Sequence, residues 1–302
     1  MERTIRTPDT SSVVVGVDGS AQARDAALWA AGEAVRRGRP LHIVHGGDTD
    51  GRALYVSGET IEKVRAAGRA LLDDTAKAVA AEYPGLTVTT EFSRSDAVTS
   101  LHRAGGLHGT VVVGNRGLGG FDSLLLGSVG LDTAATARTP VIVVRGVERA
   151  EERGSVVVAV RDEHDLMCAQ YAAREAELRK ASLRLLHVWN VFQSVGIVVP
   201  MSDGMDEIAG RHEETLLAVT DVIREEFPDL AVESEAEKSV SVAGVLVEAS
   251  RHADLLVMGG RRAPTPLGLR RSLGRAAHSL VHHAHCPVLL VPRLGSHFGS
   301  TS

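Results

Sequence analysis

The chain carries one pattern twice, and nothing else in it narrows the fold so far. Ser12-Val13-Val14-Val15-Gly16-Val17-Asp18 returns as Ser155-Val156-Val157-Val158-Ala159-Val160-Arg161, shifted by 143 positions. Leu41-His42-Ile43-Val44-His45 returns as Leu183-Arg184-Leu185-Leu186-His187, shifted by 142. Val112-Val113-Gly114 matches Val257-Met258-Gly259, and Thr139-Pro140-Val141-Ile142-Val143-Val144 matches Cys286-Pro287-Val288-Leu289-Leu290-Val291. Four landmarks in one order predict two copies of one domain. On this reading the chain divides into a flexible N-terminus (1–10), a first domain (11–146), a short charged linker (147–153), a second domain (154–293) and a flexible tail (294–302). The length agrees, since 302 residues at about 150 per domain give two.

Within each copy, short β-branched runs alternate with longer helical stretches. Val13–Val17 is an unbroken apolar run, as a strand covered on both faces requires. Ala21 to Arg37 carries Ala27, Ala30, Ala31, Ala34 and Val35 at helical spacing and stops at Gly38. Strands are then expected at Leu41–Val44, Leu86–Phe92, Thr110–Val113 and Val141–Val144, with helices at Ile61–Tyr83, Ala97–Ala104 and Val129–Ala137. The second copy repeats the strands near Ser155–Val160, Leu183–Val188, Leu230–Ser234, Leu255–Met258 and Val288–Val291. Alternation of this kind gives a parallel sheet with right-handed crossovers. The predicted fold class is α/β, two tandem doubly wound five-stranded parallel sheets of strand order 3-2-1-4-5, Rossmann-like. Long loops after strand two, Gly46 to Gly58 and Trp189 to Met205, are expected to shape or cover a site.

Composition removes several function classes. Lys+Arg 33 against Asp+Glu 38 leaves a net charge of −5, so no global basic field draws in nucleic acid or an anionic membrane. Aromatic residues at 3% are too few for a base-stacking platform. No apolar run approaches the roughly 18–20 residues that span a bilayer. Met1 to Pro8 has charge but no apolar stretch after it, so no secretory signal is expected. Two cysteines, Cys168 and Cys286, cannot build a disulfide framework, which fits a reducing, cytoplasmic setting.

The chemistry gathers after strand four of the first copy. Gly114-Asn115-Arg116-Gly117, nine residues and then Gly127-Ser128 spell G-x2-G-x9-G-S. Gly114 and Gly117 can take φ > 0 and let main chain approach a ligand with no Cβ between. Gly127 and Ser128 open a helix, whose bare N–H groups and positive dipole end bind phosphate without a lysine. The Ser128 hydroxyl is expected to cap that helix or to meet phosphate. A simple turn and cap is the competing account, because short glycine motifs are weak signals alone. Asp18 tilts the balance. It follows strand one, and in a 3-2-1-4-5 sheet strands one and four flank the crevice where ligands bind. A carboxylate there accepts from a ribose hydroxyl or an exocyclic amine, although it could instead cap the next helix in competition with Ser20.

At these residues the chain resembles the universal stress protein family in its tandem form, from about Ser11 to Pro292. The G-x2-G-x9-G-S spacing is similar to the signature of that family's ATP-binding branch. The resemblance implies that Asp18 contacts the nucleoside and that Val44 meets the adenine edge through its backbone. It further implies that Gly114, Arg116, Gly117, Gly127, Ser128 and Val129 hold the ribose and phosphates of ATP, with or without Mg²⁺. A cytoplasmic stress-response module follows, with an unidentified protein partner. Its domains would pair through Val141–Val144 and Val288–Val291, with a homodimer as a further assembly. One departure stands out: Gly109-Thr110 replaces the family's usual Ala-Asp before strand four.

The second copy has lost the signature. Arg161 replaces Asp18, Gly259-Gly260-Arg261-Arg262 replaces Gly114-Asn115-Arg116-Gly117, and Gly274-Arg275 replaces Gly127-Ser128. Pro264 and Pro266 stiffen the loop, and Arg261, Arg262, Arg270, Arg271 and Arg275 read as solvated surface charge rather than as an anion site. His278, His282, His283, His285 and Cys286 read as a helix end rather than a metal centre. Enzyme signatures are missing: no G-x4-G-K-[ST] loop, G-x-S-x-G elbow or H-E-x-x-H pair occurs. The expected function is therefore a nucleotide-binding regulatory module and not an enzyme. Slow ATP hydrolysis, or a nucleotide-independent interaction scaffold, are the alternatives.

Overall fold

The computed structural model describes residues 12–52, 55–106, 109–115, 127–145, 152–190, 202–260 and 273–292. The chain divides into two compact units, one built on each half. In the first unit β1 (Val13–Gly16) leads to α1 (Ala21–Arg36), β2 (Leu41–Gly46), the one-turn α2 (Thr49–Arg52) and the long α3 (Gly58–Glu82). There follow β3 (Val88–Ser93), α4 (Ala97–Gly105), β4 (Thr110–Gly114), α5 (Ser128–Thr136) and β5 (Val141–Val144). Every described strand pair is parallel, and the order is β3-β2-β1-β4-β5. The first unit thus forms the parallel α/β sheet of order 3-2-1-4-5 expected from the sequence.

Local chemistry explains the elements. β1 and β4 are valine-rich and buried, as central strands covered by helices on both faces must be. Each such side chain contributes about 1.5–3 kcal/mol by leaving water. α1 presents Ala23, Ala26, Ala27, Ala30, Ala31 and Ala34 inward, all fully or nearly fully buried. Small side chains bring this helix close to β1 and β4. Its start is fixed by Ser20, whose Oγ accepts from the Ala23 N–H at 3.1 Å. At its far end the buried Glu33 carboxylate accepts from Arg36 at 3.0 Å and Arg37 at 2.8 Å.

The second unit repeats the plan with β6 (Ser155–Ala159), α6 (Leu166–Arg179), β7 (Ser182–Trp189), α7 (Ser202–Glu226) and β8 (Val232–Lys238). It closes with α8 (Val242–Ala249), β9 (Leu255–Gly259), α9 (Arg275–His283) and β10 (Val288–Val291). Its order is β8-β7-β6-β9-β10, the same topology. The buried carboxylate recurs as Glu175, paired with Arg179. Both cysteines are buried, and burial pushes the Cys286 thiol up to about 12. No described helix is long and apolar enough to cross a membrane.

The structure departs from the sequence-based boundaries mainly at the sheet edges. β8 runs Val232–Lys238 rather than Leu230–Ser234. It alternates Glu233, Glu235 and Glu237 with smaller residues, so it lacks the continuous apolar run of a central strand. The loop after β2 contains α2 and is fastened sideways: Gly47, Asp48 and Asp50 donate main-chain bonds to the Ser93, Ser95 and Arg94 carbonyls at 2.9, 3.1 and 3.1 Å. Ser20→Ala should cost about 1 kcal/mol by leaving an α1 donor unpaired. Urea denaturation would measure it, and an unchanged midpoint would show that the cap is replaceable.

Candidate functional site

The site is set by which strands are neighbours. Val13, Val14 and Val15 pair in parallel with Thr110, Val111 and Val112. The residues that follow these two strands therefore leave the sheet at one edge, the place where crossovers diverge and an open crevice forms. Asp18 leaves from β1 and Asn115 from β4, so 97 residues of sequence collapse to adjacent positions on that edge.

Asp18 is held by its own turn. Its Oδ1 accepts from the Ser20 N–H at 3.0 Å, while Ser20 caps α1. The competition foreseen between the two residues is thus resolved by division of labour: Ser20 caps the helix, and Asp18 fixes the turn before it. Gly19 takes φ +93°, a conformation that favours glycine. The preceding residue is locked from β2. The Val17 N–H donates to the Val44 carbonyl at 3.0 Å, and the Val17 carbonyl is bonded by His45 Nδ1 at 2.8 Å. Val44 itself is a buried strand residue whose carbonyl already serves that bond. His45 was not among the expected site residues; a polar side chain ending an apolar strand was the available signal.

On the β4 side, Asn115 gathers both ends of the glycine loop. Its N–H donates to the Val144 carbonyl at 2.9 Å, and its carbonyl accepts from the Gly127 N–H at 3.0 Å. The start of α5 is thereby tied to the end of β4. Gly127 is the N-cap of α5, with φ −58° and ψ 144°, and no side chain caps the helix. Ser128 is the first helical residue and not the cap, contrary to the sequence-based expectation, because Gly127 occupies the extended cap position. Val129, next in the helix, is partly exposed at 39%. Among the described residues, no side chain accepts from the first-turn N–H groups at the positive end of the dipole. The Asn115 Oδ1 is buried and finds no hydrogen-bond partner among the described residues. Arg116 and Gly117 lie outside the described residues.

Gly114 is at the site for a different reason from the one its motif suggests. It has no positive φ; it ends β4 as ordinary strand. A Cβ there would sit 3.0 Å from the Gln22 carbonyl oxygen and 3.3 Å from its carbon, both main chain of α1. Its smallness seats α1 against β4.

In the second unit the main-chain frame survives and the carboxylate does not. The Gly260 N–H donates to Val291 at 2.7 Å, as Asn115 does to Val144. Gly274 is the N-cap of α9, again without a side-chain cap among the described residues, and Arg275 is the first helical residue. Arg161 folds its guanidinium onto Asp162 at 3.0 Å, and its N–H is taken by the buried Asp165 at 2.9 Å. Arg261, Arg262, Pro264, Pro266, Arg270 and Arg271 lie outside the described residues. His278 and His282 pack ring against ring at 4.4 Å within α9, and among the described residues no three metal-ligating side chains converge.

A separate cleft of about 560 Å³ lies between α3 and β3, lined in part by Arg65, Arg69 and Arg94. Its lining includes neither Asp18 nor Asn115. Arg65 pairs with Glu62 and Arg94 with Asp50, and Glu91 is held below its ordinary range chiefly by the His42 hydrogen bond.

The universal stress protein family model matches residues 10–145 and again residues 152–292. A universal stress protein of Mycobacterium tuberculosis (strain H37Rv) is 29% identical over 297 residues, covering 95% of this chain and 98% of its own. One from Mycolicibacterium smegmatis is 29% identical over 288 residues, covering 92% and 96%. Among solved structures, a universal stress protein from Archaeoglobus fulgidus superposes with a TM-score of 0.70 at 17% identity, covering 95% of this chain and 97% of that one.

Gly114→Ala should destabilise the first unit by about 1–3 kcal/mol, since the added methyl meets α1 main chain rather than a side chain that can turn away. Urea unfolding would show it as a lowered midpoint. A variant as stable as the parent would mean that α1 and β4 can separate freely.

Proposed function

The chain belongs to the universal stress protein family, and from that premise we propose that its first unit binds one adenine nucleotide, ATP foremost, at the carboxyl edge of β1 and β4. The observation that carries this reading is the N-terminus of α5, fixed by Asn115 and, among the described residues, without a side-chain cap. Polyphosphate would supply the missing acceptors for the N–H groups beginning at Ser128 and Val129, with Gly127 keeping the approach clear. Asp18, pre-set by its bond to Ser20, would accept from the ribose hydroxyls. Val44 would border the adenine from β2, and Arg116 and Gly117 complete the motif by sequence. Mg²⁺, when it accompanies ATP, is assigned to the phosphates.

The role proposed is regulatory. Bound nucleotide can bias the protein only through different affinities for two states, and the first turn of α5 is the element it would touch directly. Chemistry is not proposed: phosphoryl transfer needs positioned charge neutralisation and an oriented nucleophile, and no residue at this edge is assigned to either task. The second unit, with Arg161 tied to Asp162 in place of the carboxylate, is proposed as a partner domain that does not bind nucleotide in this manner. A cytoplasmic location and an unidentified protein partner belong to the same proposal.

Calorimetric titration of the intact chain with ATP, AMP and GTP tests it. One ATP site per chain is expected. Asp18→Ala should weaken it about tenfold or more, as loss of a charged acceptor worth about 1.5–3 kcal/mol predicts. Arg161→Ala should leave it unchanged. Phosphate release should stay far below about 1 s⁻¹. No heat with millimolar ATP, or an Asp18→Ala variant that binds like the parent, would overturn the assignment.

A further inference from the structure

The two units solve one packing problem in two ways. In the first, Phe92 of β3 stands beside His45 of β2, its partner in register, with ring centroids 5.8 Å apart. Room for it comes from glycine: a Cβ on Gly68 of α3 would lie 2.5 Å from the Phe92 ring and 2.8 Å from the His45 ring. In the second unit the residue paired with His187 is the small Ala236. The eleventh residue of α7, where α3 has Gly68, is His212, and Trp189 stands where the first unit has Gly47. An apolar plug on glycines has become a slot filled by two imidazoles and an indole.

The polar bonds in that slot run in one direction. His187 is 3% exposed, and its Nδ1 lies 2.9 Å from the Val160 carbonyl, which can only accept. Nδ1 therefore carries the proton, and Nε2 of the neutral ring is the acceptor. It receives His212 Nδ1–H at 2.8 Å. His212 in turn lies flat on Trp189, with centroids 4.7 Å apart and an interplanar angle of 15°. With both rings protonated, the Nε2–H of His187 would point at the Nδ1–H of His212, and the bond joining α7 to β7 would become a repulsion.

We propose that the His187–His212 pair is an acid-released latch that holds α7 to the sheet of the second unit. The proposal stands apart from the nucleotide reading. Burial pushes both histidines below their ordinary value, with Arg211 and the neighbouring imidazole adding to the effect on His212. Among the charged groups on the surrounding elements, Asp162 and Asp165 in the turn after β6 oppose the shift on His187. Lys238 from β8 lies 6.0 Å over the Trp189 ring. On α6 Glu175 is paired with Arg179, and on α8 Glu248 is paired with Arg251. The sign follows: the open form binds the extra proton more readily. The latch is thus fully engaged above about pH 6.5 and loses strength as pH falls below that value.

Hydrogen–deuterium exchange of the full chain at about pH 7.5 and about pH 5.5, with labelling times scaled for intrinsic exchange, tests this. Peptides from α7 should lose protection about tenfold at the lower pH, while those from α3 should not. His212→Phe, which keeps the stack on Trp189 but cannot be opposed by a protonated His187, should abolish the difference. Imidazole NMR titration of the unsubstituted chain provides a second readout, independent of whether that variant folds. Both ring signals should titrate together with the exchange change and below pH 6.5. Equal α7 protection at both pH values, a loss that persists in His212→Phe, or imidazoles that titrate at their ordinary value would overturn the latch.

Discussion

β1 and β4 lie side by side, hydrogen-bonded in parallel from Val13 beside Thr110 to Val15 beside Val112. Crossovers from these neighbours go to opposite faces of the sheet, because β1 is followed by the helices leading to β2 and β3 whereas β4 leads to β5. The carboxyl ends cannot be sealed by either set of helices. Asp18, Asn115 and the first turn of α5 come together only because of this split. A fold that paired β1 with β3 or β5 instead would scatter the same residues.

What keeps the edge usable is main-chain bonding. Val17 is held by β2 on both its N–H and its carbonyl, so the turn that carries Asp18 starts from a fixed point. Asn115 is bonded to β5 through its N–H and to Gly127 through its carbonyl, so the loop beyond it begins and ends on the same residue. These bonds recur in the second unit as His187 to Val160 and Gly260 to Val291. The frame therefore belongs to the fold, and ligand chemistry is added to it by a few side chains. In the second unit Arg161, tied to Asp162, stands where the first has Asp18.

Much of this was legible in the chain. Strands buried on both faces read as unbroken valine runs, and Asp18, Gly127 and Ser128 could be placed at one edge once the strand order was inferred. Edge strands were harder, since β8 alternates glutamates with small residues and gives no apolar run. The reason for Gly114 was hidden because the backbone it touches, at Gln22, is 92 residues away in sequence. Gly68 is a further signal in the sequence: glycine inside a helix costs about 1 kcal/mol and calls for a packing reason. That reason is Phe92, and its counterpart His212 shows how the same position became polar in the second copy.

The central claim is one nucleotide site per chain, built by the first copy alone. Native mass spectrometry of the intact chain in the presence of ATP reads this stoichiometry directly. The account predicts a single added nucleotide mass per chain. A bare chain, or one that carries two nucleotides with equal occupancy, would contradict it.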